Sequence, residues 1–315
     1  MKLTGKRILV TGGAGFIGSE LCARLLKKGN EVVCFDNFSS GKEEFIEKIR
    51  KDSKFTVIKG DMLKPRELKK ALRGCDTVVH LAANPDVRLG QSDSHVHFEQ
   101  NVVATYNLLE AMKDLKMKEL AFASSSVVYG SAKIIPTPEN YGPLLPISLY
   151  GASKLACEAL ISAYSDNFGI TSAMFRFANI IGRHAHGVTC DFKRKLEASP
   201  NELEILGDGS QTKSYLHLDD CLDASILAIE RTEKGVEPWN IGSDDKLNVK
   251  TIADIVSSEM GLKNVKYKFG GGQAWAGDIK IMLLATEKIR SFGWKPKLNS
   301  EQAVRKAVRQ MLGKE

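Results

Sequence analysis

The chain has 315 residues, 43% of them hydrophobic and 26% charged, which is typical of a globular protein with one large domain or two modest ones. No apolar run approaches the roughly 18 residues of a membrane span, and the six scattered cysteines, without a CxxC pair, suggest neither a zinc knuckle nor a disulfide framework. The net charge of +7 suits an anionic partner. Without a basic tract we expect no nucleic-acid partner, and a phosphorylated small molecule fits the charge equally well.

The first predicted element is a short apolar strand, Lys6 to Thr11, which leads into the glycine-rich segment 12–18. Because the chain enters this strand so early, without the pattern of a signal peptide, we expect a cytoplasmic protein. Gly12, Gly15 and Gly18 recur every third residue before a helical pattern. This spacing permits a tight turn and the close approach of a diphosphate to the backbone.

A second strand, Glu31 to Phe35, ends in Asp36, 18 residues beyond Gly18. An acidic group at this place accepts hydrogen bonds from both hydroxyls of an adenosine ribose, and its charge repels a 2′-phosphate. The sequence therefore predicts a dinucleotide site that prefers NAD over NADP.

Two further strands are predicted at Phe55 to Lys59 and Thr77 to Leu81, and helical stretches alternate with all of these strands. This alternation predicts an α/β fold, a doubly wound parallel sheet that binds ligands at the carboxyl ends of its strands. Asp61 and Ala82 fall at such ends. A helix over about 97–114 is expected to pack on the sheet or on a partner subunit.

A strand from Glu119 to Ala123 delivers three serines, Ser124 to Ser126, to the same sheet edge. Twenty-five residues after Ser125 comes Tyr150, followed by Lys154, and a helical spacing of four places phenol and ammonium on one face. A neighbouring cation favours the phenolate, so we expect Lys154 to lower the pKa of Tyr150. These residues predict oxidation of an alcohol, with Tyr150 as base and a serine hydroxyl on the reacting oxygen.

From Lys6 to about Val304 the chain resembles the extended short-chain dehydrogenase/reductases, and within them the nucleotide-sugar 4-epimerases typified by UDP-glucose 4-epimerase. The motifs that carry the resemblance are TGGAGFIGS (11–19), SSSVVYG (124–130), YGASK (150–154), RFANIIG (176–182) and SYLHLDD (214–220). The resemblance implies inversion of carbon 4 of a UDP-hexose of the glucose/galactose type, through a transient 4-keto intermediate.

The site residues are assigned with the help of this resemblance. The catalytic residues are Ser125, Tyr150 and Lys154. The NAD-binding residues are Gly12, Gly15, Phe16, Ile17, Asp36, Asn37, Asp61, Met62, Leu81, Ala82, Ala83, Asn101, Tyr150 and Lys154. The substrate-binding residues are Ser125, Ser126, Asn179, Val188, Phe192, Lys213 and Tyr215.

Two relatives within the family are alternatives for the reaction. Nucleotide-sugar dehydratases carry an Asp-Glu pair directly after the serine that matches Ser125, and decarboxylases usually carry a glutamate at the position of Val127. This chain has Ser126 and Val127 there, which favours the epimerase over both. A non-catalytic NAD-dependent sensor is a more distant alternative, against which the retained Tyr150 and Lys154 argue.

The carboxyl-terminal part departs from the family pattern at two places. Lys213 stands at or near the position of a phosphate-binding arginine, and a lysine lacks the bidentate fork of arginine. A second arginine is expected shortly before Gly277, but the chain has Gln273 and Trp275 in that neighbourhood and no arginine between Arg231 and Arg290. These departures bear on the contact with the substrate diphosphate.

We divide the sequence into an NAD-binding region, residues 1–178, and a predominantly substrate-binding region, residues 179–315, from which some segments return to the first. No metal is expected, because His184 and His186 have no carboxylate or cysteine cluster near them in the sequence. His95 and His97 are expected at the surface. The resemblance also implies a homodimer built from the helices that follow Val96 and Tyr150.

Overall fold

The computed structural model describes residues 1–272 and 274–315, and Gln273 lies outside the described residues. The strands are β1 (Arg7–Thr11), β2 (Glu31–Asp36), β3 (Phe55–Lys59), β4 (Thr77–His80), β5 (Glu119–Ser125), β6 (Thr171–Phe177), β7 (Asn179–Ile181), β8 (Glu202–Ile205), β9 (Thr212–Lys213), β10 (Tyr215–His217), β11 (Val236–Ile241), β12 (Leu247–Asn248), β13 (Lys266–Phe269) and β14 (Ile281–Met282). The helices are α1 (Phe16–Lys27), α2 (Glu43–Ile46), α3 (Pro65–Leu72), α4 (Ala104–Asp114), α5 (Leu149–Phe168), α6 (Val188–Ala198), α7 (Leu218–Arg231), α8 (Val249–Glu259), α9 (Glu287–Arg290) and α10 (Ser300–Met311).

The largest sheet described has seven strands in the order β11-β6-β5-β4-β1-β2-β3. Strand β1 pairs in parallel with both β2 and β4, so the order of the strands reverses at this point of the sheet. Strand β2 pairs in parallel with β3, and β4 with β5. In such a doubly wound sheet, ligands bind at the carboxyl ends of the strands beside the reversal. The predicted fold class is therefore confirmed.

The chain forms two compact units, each built from separate segments. Unit 1 consists of Met1–Val128, Leu149–Arg176 and Ser225–Trp239; unit 2 consists of Tyr129–Ser148, Phe177–Ala224 and Asn240–Glu315. The core of unit 1 lies where helices pack on the sheet, with Leu9, Phe35 and Val78 from its strands and Leu108 and Ile161 from its helices.

Unit 2 has its own hydrophobic core, formed by β8, α6, α8 and α10. Helix α10 shows how the sequence specifies its place. Asn299 caps its first turn in a capping box with Gln302, and the apolar positions Ala303, Val304, Ala307 and Val308 recur at helical spacing and are buried. Its strands form small sheets, in which β7 pairs with β10, β8 with β13, and β9 with β12 and β14.

Most predicted elements occur with small differences in their bounds. Strand β3 has the predicted ends, and β5 continues two residues beyond its prediction, so that Ser125 is its last residue. The predicted helix over 97–114 is divided into a π-helical turn, Phe98–Val103, and α4. None of the helices in the described part of the chain has the length and hydropathy that a bilayer crossing requires.

Candidate active site

The glycine-rich turn between β1 and α1 is held close to the end of β4. Gly12 has a φ of +68°, and a Cβ atom at this residue would lie 2.8 Å from the backbone nitrogen of Ala82. A Cβ on Gly18 would lie 2.1 Å from the carbonyl oxygen of Gly12. Helix α1 begins at Phe16 without a side-chain cap at Gly15, so its first amides are free to bind a diphosphate. The turn therefore fits a dinucleotide.

Asp36 lies buried at the end of β2, with its carboxylate fixed by two backbone groups. The amide of Ala14 donates to Oδ2 at 2.9 Å, and the amide of Phe38 donates to Oδ1 at 2.8 Å. A carboxylate oxygen has further lone pairs, so both oxygens remain able to accept hydrogen bonds from a ribose. Asn37 is exposed, and its side chain accepts a hydrogen bond from Ser39.

The predicted residues after β3 and β4 are also held by backbone contacts. Asp61 accepts a hydrogen bond from the amide of Leu63, and the carbonyl of Met62 accepts one from Asn107. After β4, the amides of Leu81 and Ala82 donate to the carbonyl and hydroxyl oxygens of Thr11. Ala83 and Ile17 are partly buried. All of these residues belong to unit 1, as do Gly12 and Asp36.

His80 joins three elements of unit 1 below this edge. Its Nδ1 lies 2.7 Å from the Thr11 hydroxyl, and its Nε2 lies 3.1 Å from the Thr105 hydroxyl, which itself donates to the carbonyl of Asn101. Thr105 can therefore only accept from Nε2–H, which leaves Nδ1 as the acceptor for Thr11. Burial lowers the pKa of His80 to about 3, so the imidazole is neutral and both nitrogens are engaged.

Asn101 connects the π-helical turn to the start of α5. Its Nδ2 donates to the hydroxyl of Ser153 at 2.9 Å, its Oδ1 accepts from the amide of Asn84, and Ser153 in turn donates to the carbonyl of Tyr150. The π-helical turn widens the helix at a single place, which is common at functional sites. Asn101 thus braces the first turn of α5, and its predicted contact with NAD stays a prediction.

The three predicted catalytic residues come together within unit 1. Tyr150 lies in the first turn of α5, and Lys154 lies one turn later with its side chain 3% exposed. The Lys154 ammonium donates to the carbonyl of Ala123 at 2.7 Å and lies 5.8 Å from the centre of the Tyr150 ring. Ser125, at the end of β5, hydrogen-bonds to Tyr150. Ser126 is buried beside it.

Burial, and not the neighbouring ammonium, has the largest effect on the phenol. It raises the pKa of Tyr150 to about 12, although the side chain as a whole is only partly buried, and the hydrogen bond with Ser125 opposes this shift. The expectation of a lowered pKa is therefore wrong. Burial also lowers the pKa of Lys154 to about 8, so the amine is mostly protonated at neutral pH.

His97 contacts the ring of Tyr150, a contact that the sequence does not predict. The prediction of a surface position is correct for His95 but wrong for His97, which is 1% exposed. Its ring meets the Tyr150 ring edge-on, with 5.6 Å between the ring centres. The signal that could have found it is its spacing from Asn101 and Ala104, which places all three on one helical face.

The predicted substrate residues of unit 2 occupy two different environments. Phe192 and Tyr215 belong to its hydrophobic core, and Val188 packs against that core. Burial raises the pKa of Tyr215 above its usual range. Asn179, in β7, donates to the carbonyl of Ser214 and is only partly buried. Their roles in substrate binding stay predictions.

Lys213 is the predicted phosphate contact of unit 2, and it forms an ion pair with Asp278. The Lys213 ammonium lies 2.6 Å from Oδ1 of Asp278 and 5.2 Å from the centre of the Trp275 ring. The lysine side chain is 16% exposed and the carboxylate 2%. A phosphate that binds Lys213 must therefore compete with Asp278. In the described part of the chain, no three His, Cys, Asp or Glu side chains form a metal-binding group.

Comparison with known proteins agrees with this geometry. The model of the NAD dependent epimerase/dehydratase family matches residues 8–242, and the chain therefore belongs to that family. It is an enzyme family that uses NAD, and the glycine turn and Asp36 fit this cofactor. The family resemblance given by the sequence motifs is confirmed.

Individual relatives cover nearly the whole chain. A putative UDP-glucose 4-epimerase from Methanocaldococcus jannaschii is 30% identical over 311 residues, which are 96% of this chain and 98% of that protein. A crystal structure of UDP-galactose 4-epimerase is 40% identical with a TM-score of 0.86, covering 98% of this chain and 99% of the other. A dTDP-glucose 4,6-dehydratase from Streptomyces venezuelae, with NAD and TYD bound, is 26% identical with a TM-score of 0.90, covering 98% and 97%.

Proposed function

We propose that this protein is a UDP-hexose 4-epimerase, which inverts carbon 4 of a sugar of the glucose/galactose type through a 4-keto intermediate. The observation that carries the proposal is the grouping of Ser125, Tyr150 and Lys154 at the sheet edge, with no carboxylate at the two positions after Ser125. Elimination of water requires an additional acid and base, which Ser126 and Val127 do not supply. Withdrawal and return of hydride requires neither.

Each catalytic residue has a distinct task in this reaction. Tyr150 takes the proton of the sugar 4-hydroxyl and returns it to the same oxygen once carbon 4 has been inverted, and Ser125 donates a hydrogen bond to that oxygen. Lys154 would hold the nicotinamide ribose, and its ammonium favours the phenolate form of Tyr150 that accepts the proton. NAD, when bound, would supply a reversible acceptor for the hydride of carbon 4 and a positive charge that opposes the effect of burial on the pKa of Tyr150.

Substrate binding is assigned to unit 2. Asn179 and Lys213 provide an amide and an ammonium suited to a diphosphate, and the remaining predicted contacts come from Val188, Phe192 and Tyr215. Because Lys213 is already paired with Asp278, we expect a weaker diphosphate contact than an unpaired arginine gives.

The functional form that we propose is a cytoplasmic homodimer. Three aromatic side chains of unit 1 support the dimer, because they are exposed on or beside α4 and α5: Phe98, Tyr106 and Phe168. Aromatic residues are enriched in protein interfaces, and a second copy of the chain would cover them. Sedimentation should give twice the chain mass of 34.6 kDa, and a single-chain mass would contradict the dimer.

The test is a product analysis with several nucleotide sugars. The protein, loaded with NAD, is incubated separately with UDP-glucose, UDP-GlcNAc, UDP-glucuronate and dTDP-glucose, and the products are identified by NMR. A 4-epimer without net change in NAD supports the proposal. A 4-keto-6-deoxy sugar would identify a dehydratase, released carbon dioxide a decarboxylase, and the absence of both product and NAD reduction a non-catalytic sensor.

A further inference from the structure

A buried ion pair lies directly behind the catalytic residues of unit 1. Glu158 of α5 and Arg176 of β6 have side chains that are 5% and 6% exposed. Nε and an Nη of the arginine donate to the two carboxylate oxygens at 3.0 and 2.7 Å. Such a bidentate pair has a fixed geometry, and burying it costs free energy unless further hydrogen bonds complete it. The reaction proposed above does not use either side chain.

A third contact connects this pair to the active site. The hydroxyl of Ser124 donates to Glu158. In β5, Ser124 stands between Ala123, whose carbonyl holds the Lys154 ammonium, and Ser125, which hydrogen-bonds to Tyr150. The carboxylate of Glu158 therefore anchors the one strand end from which both catalytic contacts are made.

Glu158 also lies one helical turn after Lys154, so its charge faces the amine from the same helix. The other titratable groups that interact with Lys154 are His80 from β4, His97 beside the π-helical turn, and Tyr150 and Cys157 from α5. Burial lowers the pKa of His80 and His97, and it raises the pKa of Tyr150 and Cys157, so all four favour their neutral forms.

The balance of charges around Lys154 follows from this arrangement. Burial lowers the pKa of Lys154, and the negative charge of Glu158 acts in the opposite direction. Arg176 carries a positive charge that compensates Glu158, so the pair as a whole has no net charge. Removing the carboxylate alone would take away the charge that opposes the effect of burial on Lys154, and it would also remove the bidentate partner of Arg176.

We infer that Glu158 is a positioning residue. It orients Ser125 through the hydrogen bond from Ser124, and it acts on Lys154 because it lies one turn later on α5. Arg176 is the counter-ion that allows the carboxylate of Glu158 to be buried. This inference rests on the proposed function for its kinetic consequence. Its electrostatic consequence concerns Lys154 itself and can be measured without any substrate.

The experiment compares Glu158→Gln with the double variant Glu158→Gln/Arg176→Met in the full chain. Glutamine keeps an acceptor for Ser124 and removes the charge, so the alkaline limb of kcat/KM, where Lys154 loses its proton, should move about one pH unit lower. The double variant also removes the positive charge of Arg176 and should therefore move the limb less than the single variant does. If Glu158 had a merely structural role, the alkaline limb of the double variant would lie no closer to the wild-type pH than that of the single variant.

A substrate-free readout makes the inference independent of the proposed reaction. Melting temperature is measured against pH for the same proteins and for Lys154→Met, which has no amine to titrate. The rise in stability that follows deprotonation of Lys154 should begin at lower pH in Glu158→Gln than in wild type. If no nucleotide sugar is turned over, the proposed function fails, and these melting curves still decide the role of Glu158.

Three results would overturn the inference. The first is an unshifted pH dependence in Glu158→Gln, and the second is the same shift in the single and the double variant. The third comes from Ser124→Ala, which carries no charge change and remains testable if Glu158→Gln does not fold. Ser124→Ala should lower kcat about ten-fold, because the end of β5 loses its hydrogen bond to Glu158, and it should leave the pH of the alkaline limb unchanged. A wild-type kcat in Ser124→Ala would contradict the positioning role of Glu158.

Discussion

Unit 1 holds its candidate catalytic groups by buried hydrogen bonds, whereas unit 2 holds its candidate phosphate contact in a partly exposed ion pair. Lys154 is fixed by the carbonyl of Ala123, and Tyr150 starts a helix that Asn101 braces through Ser153. Lys213, by contrast, forms an ion pair with Asp278 and lies over the ring of Trp275. The first arrangement is complete before a ligand arrives, and the second must exchange a protein carboxylate for a ligand phosphate.

This difference separates two kinds of mutational effect. Groups that are preorganised at the reacting atoms act on the transition state, so their loss lowers kcat. A group that exchanges a protein carboxylate for a ligand phosphate stabilises the bound ground state and the transition state equally, so its loss raises KM. The following variants test whether the two units divide the work in this way.

Tyr150→Phe should have the largest effect, because it removes the group that we propose transfers the proton. We expect a loss of about 10²–10⁴-fold in turnover with NAD still bound. The measurement is epimer formation together with the NAD content of the purified protein. Tyr267→Phe, which removes an exposed hydroxyl of unit 2 bonded to Asp254, is the matched control and should be normal. Near-normal turnover in Tyr150→Phe would remove the phenol from its role.

Lys213→Ala should raise KM for the nucleotide sugar about 10-fold to 100-fold, with little change in kcat, since a charge-assisted hydrogen bond is lost. Lys213→Arg should lower KM below the wild-type value, because a guanidinium can bind Asp278 and a phosphate at once. Lys280→Ala removes an exposed partner of Asp208 and serves as the control. If Lys213→Ala changed kcat and left KM as it was, the assignment of substrate binding to unit 2 would have to be given up.

His80→Gln should have the smallest effect of these variants. The effect concerns how the free energy of unfolding depends on pH. The pKa of His80 is about 3 in the folded chain and 6.5 ordinarily, so the unfolded chain binds more protons below pH 6.5. The stability contributed by the neutral imidazole is complete above pH 6.5 and is lost progressively toward pH 3, by roughly 2 kcal/mol at pH 5.

The measurement is the difference in melting temperature between pH 7 and pH 5. This difference should be smaller in His80→Gln than in wild type, and unchanged in His95→Gln, which alters an exposed histidine of the same unit. An equal pH dependence in all three proteins would contradict the assigned neutral state of His80.

Local sequence signals predict the parts of the site that depend on a few neighbouring residues. Three such signals depend on residues close in the sequence: the glycine spacing, the position of Asp36 at a strand end, and the spacing between Tyr150 and Lys154. Each is found where it was expected. The pKa of Tyr150 could not be predicted in this way, since burial depends on residues that are distant in the sequence.

Tertiary contacts also explain the other differences. The π-helical turn at Phe98–Val103 brings Asn101 to Ser153, 52 residues later, and no local pattern encodes that contact. The same is true of Glu158 and Arg176, which are ordinary charged residues in the sequence and become a buried pair only when α5 meets β6. In unit 2, the pairing of Lys213 with Asp278 spans 65 residues.

The order of strands in the main sheet has a consequence during synthesis on the ribosome. Strand β6 ends at Phe177, but β11, which covers its outer edge, begins only at Val236, 59 residues further along. Until that segment emerges, the nascent chain presents an open row of backbone donors and acceptors beside a finished sheet, which is a template for pairing with other chains. Newly made protein should therefore depend on chaperones most strongly while residues 178–241 are being translated.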